Sequence, residues 1–166
     1  MMIGIIHAND TYAIDFENPE APVVRPIEAN LEGLGLALCI IDCGADHAAL
    51  TGEYASIPQE MCQVAAYFGK KVLREVKEAD VLANLPALRQ KVGDRAVLRA
   101  LHFYADDQRA VEEADALANG EKETFLNLVK ESGRSSWELL QNITPAAAVA
   151  HQDMAIALTV AEKALN

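Results

Sequence analysis

The sequence predicts an α+β fold, with a small, mainly antiparallel sheet from the N-terminal third covered by a layer of about five to six helices. Three observations predict it. Apolar and β-branched runs broken by Gly, Pro, Asn and Asp occupy about residues 1–44. Capped segments of helical period occupy about residues 56–166. No internal repeat or low-complexity linker separates the two regions, so a single domain over residues 1–166 is expected.

The strands come first. Residues 3–6 and 11–16 flank the turn-prone stretch His7, Ala8, Asn9, Asp10, which suits a hairpin, and residues 23–27 supply a third strand. Residues 36–42 are almost continuously apolar and are expected to form the central strand, covered on both faces.

The helices follow. Ser56 is the expected N-cap of the first, with Gln59 as its capping-box partner and Pro58 within the first turn. Met61, Val64, Ala65 and Phe68 make its inward stripe and Gly69 ends it. A second helical region follows Asp80 and restarts at Pro86, because proline has no N–H to give the preceding turn.

The longest helix is expected from a cap at Asp94 to about Asn119. Val97, Ala100, Leu101, Tyr104, Val111, Ala114 and Leu117 face inward along it, and Gly120 provides a left-handed exit. A helix over 121–132 should bury Phe125, Leu128 and Val129, and a short one should surround Trp137 to Gln141. The last is expected to start with Thr144 as cap and Pro145 at its first position, carrying Met154, Leu158, Ala161 and Leu165 on one side.

Composition narrows the function. With 166 residues and 51% hydrophobic content, the chain is built to bury a core. A net charge of −11 and a pI near 4.7 argue against nucleic acid or an anionic membrane as a partner, since both need clustered Lys and Arg to displace counterions. Cys39, Cys43 and Cys62 are odd in number and at no metal-ligand spacing, so they read as buried thiols of a protein kept in a reducing cytoplasm. The start MMIGII lacks the basic flank and length of a secretory leader, and no apolar run reaches the ~20 residues that span a bilayer.

Few residues invite chemistry. Asp42, Asp46 and His47 could form a carboxylate and imidazole cluster, but Asp just after a buried strand more commonly satisfies loop amides. His7 and His151 have no partners at ligand spacing. Arg99, His102, Asp106 and Arg109 fall at helical intervals and are expected to tie the long helix to its neighbours or to a further part of the protein N-terminal to these residues. Gly33 and Gly35 read as a turn, because no phosphate-cradling helix follows them at once.

One longer pattern adds to this. The stretch IIDCGADHAALTGEYASIPQEM, preceded by IDFENPEAPVVRPIE and followed by VLRALHFYADDQRAVEEADAL and FLNLVKESGRSSWELLQN, resembles the C-terminal half of galactokinases, of the GHMP superfamily of sugar and small-metabolite kinases. The resemblance runs from about Tyr12 to Asn166 and includes Arg99, His102 and Arg109. It implies a GHMP C-terminal-domain-like fold, incomplete here, and a role for Tyr54 in hydrogen bonding to a bound sugar. A phenol suits that task, having an apolar face for the ring and one hydroxyl for a sugar hydroxyl.

Many galactokinases have arginines soon after this tyrosine, whereas this chain has Ala55, Ser56, Ile57 and Pro58. That departure weakens the transfer of sugar specificity, so galactose stays the first expectation while a related hexose or an aminosugar is open. The family's sugar-binding Gly-Glu-His-Asp segment, ATP loop, catalytic aspartate and last glycine-rich segment have no counterpart in these residues.

The resemblance thus implies a C-terminal portion of a sugar kinase that, when complete, uses ATP and Mg²⁺ to phosphorylate the anomeric hydroxyl. Neither cofactor is expected to bind this chain alone, for which no catalytic, cofactor-binding or metal-binding residue is assigned. A missing N-terminal half and a second copy of the chain are the expected macromolecular partners. A non-catalytic helical interaction or sugar-sensing module is the alternative.

Overall fold

The computed structural model describes residues 2–7, 10–29, 31–44, 51–144, 146, 149–150 and 152–165, with backbone alone at 2–7, 10, 51 and 165. The fold is α+β, and its residues gather into two compact units, 1–40 with 103–134 and 41–102 with 135–166.

The first unit holds an antiparallel sheet of order β1-β2-β3, formed by Met2–His7, Asp10–Asp15 and Val23–Ile27. Ile3 pairs with Ile14, and Ala13 pairs with Arg25 across the other side. The polar turn between β2 and β3 closes on its own side chains. Asp15 Oδ1 accepts from the Glu17 amide at 2.9 Å and Asn18 Oδ1 from that of Glu20 at 3.1 Å.

Period-two alternation puts Thr11 and Ala13 on one face of β2, where both are buried. Ala13 and Ile27 pack with Ala114 and Leu117 of α4 (Asp94–Ala118), and Leu34 and Phe125 close over them. Thr11 Oγ1 donates to the Ala29 carbonyl at 3.2 Å as the chain leaves the sheet. Phe125 belongs to α5 (Lys122–Ser135), reached through Gly120 at φ +70°. There the Gly120 and Glu121 amides bond the Leu117 and Ala116 carbonyls, a glycine exit that occupies carbonyls the helix end would leave unmet.

The second unit is helical. It contains α1 (Thr51–Tyr67), a 3₁₀ turn (Leu73–Glu75), α2 (Glu78–Ala83), α3 (Leu85–Val92), the first part of α4, a π-helical turn (Ser136–Leu140) and α6 (Asp153–Leu165). Val64 and Ala65 of α1 are fully buried, as are Val81 and Leu88 of α2 and α3, and α1 lies against both α3 and the 3₁₀ turn. Gly69, at φ +71°, ends α1 by the same exit geometry as Gly120. Among the described residues no helix is long and apolar enough to cross a membrane.

The structure corrects several expectations. Residues 36–42 form no strand, and Leu38, Ile40 and Ile41 are 70%, 93% and 69% exposed. An apolar run becomes a buried strand only where neighbouring strands and covering faces meet it, and the described sheet ends at β3. The cysteines are not buried thiols, Cys39 and Cys62 being exposed and Cys43 half-buried.

Among the helices, α1 starts at Thr51, so Ser56 lies inside it rather than at its cap. Val129 is exposed on α5, and α6 starts at Asp153 rather than near Thr144, with Leu158 turned to solvent. Pro145, expected at that helix's first position, lies outside the described residues. Asp94 is the first residue of α4, and its carboxylate receives two bonds from Arg89, at 2.8 and 3.1 Å.

Candidate functional site

Tyr54 stands in the first turn of α1, not in a loop, and is 47% exposed. That turn is intrinsically weak. Pro58, four residues on, has no N–H to offer the Tyr54 carbonyl, and a proline ring inside a helix crowds that same carbonyl. The turn forms where the sequence supplies support from outside the helix, and the support is polar.

Glu53, Ser56 and Glu60 recur at three- and four-residue spacing, so they share one face of α1. Arg95 and Arg99 share a face of α4 for the same reason. Arg95 Nε donates to both Glu60 carboxylate oxygens at 3.0 and 3.2 Å, its Nη2 makes a further close bond to Glu60 Oε1, and Nη1 lies 3.8 Å from Glu53 Oε2.

Arg99 is 1% exposed and makes the most of its fork. Nη1 bonds Ser56 Oγ at 2.8 Å and pairs with Glu60 Oε2 at 3.0 Å, while Nε bonds the Leu140 carbonyl at 3.0 Å. Burial pushes the Arg99 pKa down and Glu60 pulls it back up, but a guanidinium stays protonated in either case. Arg95, closer to solvent, is raised chiefly by its bond to Glu60. Ser56 Oγ relays the contact inward by donating to the Glu53 carbonyl at 2.6 Å.

The rest of the polar stripe is also engaged. His102 Nδ1 lies 2.8 Å from Ser135 Oγ, and both residues are buried. A serine and a histidine at that distance have the makings of a nucleophile and its base, but burial keeps them from substrate, and their bond holds α4 to the end of α5. In the other unit Asp106 accepts from Arg109 Nε at 3.1 Å and Nη2 at 2.9 Å, and from Ser132 Oγ at 2.7 Å. Burial and the adjacent Asp106 hold the Glu113 carboxyl above the usual carboxylate range, with Arg109 opposing.

Two hollows are lined by other residues. One of about 430 Å³ lies beside Gln63, Tyr67 and Lys91, and one of about 400 Å³ beside Glu28, Leu34 and Asn119.

Comparison with known proteins finds relatives of the sequence. No family model matches the chain. Galactokinase of Homo sapiens is 32% identical over 114 residues, covering 67% of this chain and 28% of that protein. Galactokinase of Actinobacillus pleuropneumoniae serotype 3 (strain JL03) is 36% identical over 83 residues, covering 50% and 21%. That of Glaesserella parasuis serovar 5 (strain SH0165) is 32% identical over 98 residues, covering 59% and 25%.

This is a galactokinase-like chain. It spans between 21% and 28% of the length of these relatives.

Within the galactokinase-like chain, the residues singled out from sequence separate clearly. Arg99, His102 and Asp106 bond to neighbouring segments, as expected of a structural stripe, whereas Arg109 pairs with Asp106 on the same helix. Asp42 Oδ1 accepts from the Gly44 amide at 2.8 Å, which is the loop-satisfying role expected of it. Asp46, His47 and His151 lie outside the described residues, as does the side chain of His7. Gly33 and Gly35 fall in the turn over 31–35, where Gly35 takes φ +67°.

Sequence reading missed Glu60, Arg95 and Ser135. The signal for the first two was present: two acidic residues flanking a serine on one helix face, and two arginines four apart on another. Among the described residues no group of three or more His, Cys, Asp or Glu is placed to hold a metal ion.

Proposed function

We propose that this chain is the C-terminal portion of a galactokinase-like sugar kinase of the cytoplasm. In the complete enzyme the ATP γ-phosphoryl group passes to the anomeric hydroxyl of galactose or a related sugar, and Tyr54 helps orient that sugar. The similarity to galactokinases across 67% of the chain carries the reading. The half-exposed Tyr54 ring supports it, being within reach of a ligand yet mounted on a braced helical turn.

ATP and Mg²⁺ belong, in this reading, to the N-terminal kinase half. The Gly33–Gly35 turn opens no helix that could receive a phosphate, and no step of phosphoryl transfer is assigned to this chain. The exposed Leu38, Ile40 and Ile41 support the view that further polypeptide, or a second copy, covers this segment.

The test is a coupled assay for ATP-dependent sugar phosphorylation. The purified 166-residue chain should be inactive, and the chain joined to its N-terminal half active. In that joined enzyme Tyr54→Phe should weaken sugar use by about 0.5–1.5 kcal/mol, the worth of one hydrogen bond. An unchanged KM for sugar would remove Tyr54 from the site.

A further inference from the structure

We propose that Arg99 is the positioning residue for Tyr54, acting through Ser56 and Glu60, and that α4 rather than α1 itself fixes where the tyrosine stands. The inference rests on the sugar-contacting role of Tyr54 proposed above. It starts from a local conflict. Pro58 cannot supply the Tyr54 carbonyl with the usual helical N–H, and its ring crowds that turn. Left to its own propensity, the turn bearing Tyr54 would fray.

The compensation comes from α4. Arg99, buried to 1% exposure, grips Ser56 and Glu60 on either side of Pro58, at 2.8 and 3.0 Å. Arg95 doubles the hold on Glu60 and reaches Glu53, the residue before Tyr54. Ser56 passes the grip to the Glu53 carbonyl at 2.6 Å, so the backbone on both sides of Tyr54 is tied to a buried cation. The third Arg99 contact, to the Leu140 carbonyl, anchors the guanidinium in the π-helical turn, which prevents it from following α1 if α1 shifts. A binding residue held this way reaches its ligand already oriented.

Amide hydrogen exchange on the 166-residue chain, read at residues 55–57, tests this directly. Arg99→Met should speed exchange there by about tenfold or more, the factor set by losing hydrogen bonds to a charged group. Ser56→Ala guards against a simple folding failure. Alanine is the better helix former, so a purely local role for Ser56 would slow exchange, whereas loss of the Arg99 contact speeds it. Arg89→Ala, which breaks an exposed pair elsewhere, should leave these amides unchanged. Pro58→Ala, by restoring the missing donor, should blunt the effect of Ser56→Ala.

In the joined enzyme, Ser56→Ala should raise the sugar KM severalfold and leave the KM for ATP alone. Unchanged or slower exchange at 55–57 in both Arg99→Met and Ser56→Ala would overturn the inference, and so would faster exchange with an unaltered sugar KM in Ser56→Ala where Tyr54→Phe does raise that KM. A silent Tyr54→Phe together with faster exchange would instead sink the sugar-contact reading and leave the brace standing, so the two failures are told apart.

Discussion

Arg99 concentrates more of the fold's polar chemistry than any residue that sequence reading put forward for function. Its three contacts compensate for burying a cation, and its removal would take a charged donor from the Leu140 carbonyl and leave the Ser56 hydroxyl with its bond to the Glu53 carbonyl. Arg99→Met is therefore expected to destabilise the chain by about 1.5–3 kcal/mol, since Glu60 keeps Arg95, measured as a fall in the urea midpoint at unchanged slope. Glu113 gives the opposite lesson. Burial and Asp106 raise its carboxyl above the ordinary value of 4.5, so the folded chain holds this proton more tightly than the unfolded chain does. Its ionisation works against folding as pH rises from the unfolded value through the raised folded one, and the penalty vanishes below the unfolded value. Glu113→Gln should be more stable than the parent at pH 7, with the advantage shrinking as pH falls towards 4.5, as read from urea midpoints at each pH.

At the scale of elements, α4 was legible almost to the residue because its signals are redundant. An acidic start, a long apolar stripe and a glycine exit all agree, and Val97, Ala100, Ala114 and Leu117 are buried where periodicity puts them. The exit is open to test. A Cβ at Gly120 would meet no atom within 4 Å, so Gly120→Ala should cost only the left-handed backbone penalty of about 1 kcal/mol, seen as a lowered Tm. The start of α1 was misread because Ser56, Pro58 and Gln59 together imitate a helix beginning. A serine that bonds backward to Glu53 and sideways to Arg99 has the same local sequence as a cap. Only the partner 43 positions away decides between them. The site was legible in the same uneven way: Tyr54 stood out by family resemblance, while the residues that brace it emerge only when two helices are seen together.

At the scale of the whole molecule, the sheet was legible in its three strands and not in its extent. Residues 36–41 carry every local mark of a central strand, but a strand is completed by its neighbours, and a single sequence does not say whether those neighbours are present. Replacing Leu38, Ile40 and Ile41 together by serine should change unfolding free energy by no more than about 0.5 kcal/mol, because the described chain buries none of them. The same variant should self-associate less in sedimentation velocity if these side chains form a contact between copies. The sole tryptophan, Trp137, sits in the π-helical turn whose Leu140 carbonyl Arg99 anchors. Its emission is therefore a built-in optical reporter on one end of that anchor. Cys62, a solvent-facing thiol two turns beyond Tyr54 in the same compact unit, can carry an acceptor dye once Cys39 and Cys43 are replaced. Energy transfer between the two would then follow, in real time, any loosening of α1 from the turn.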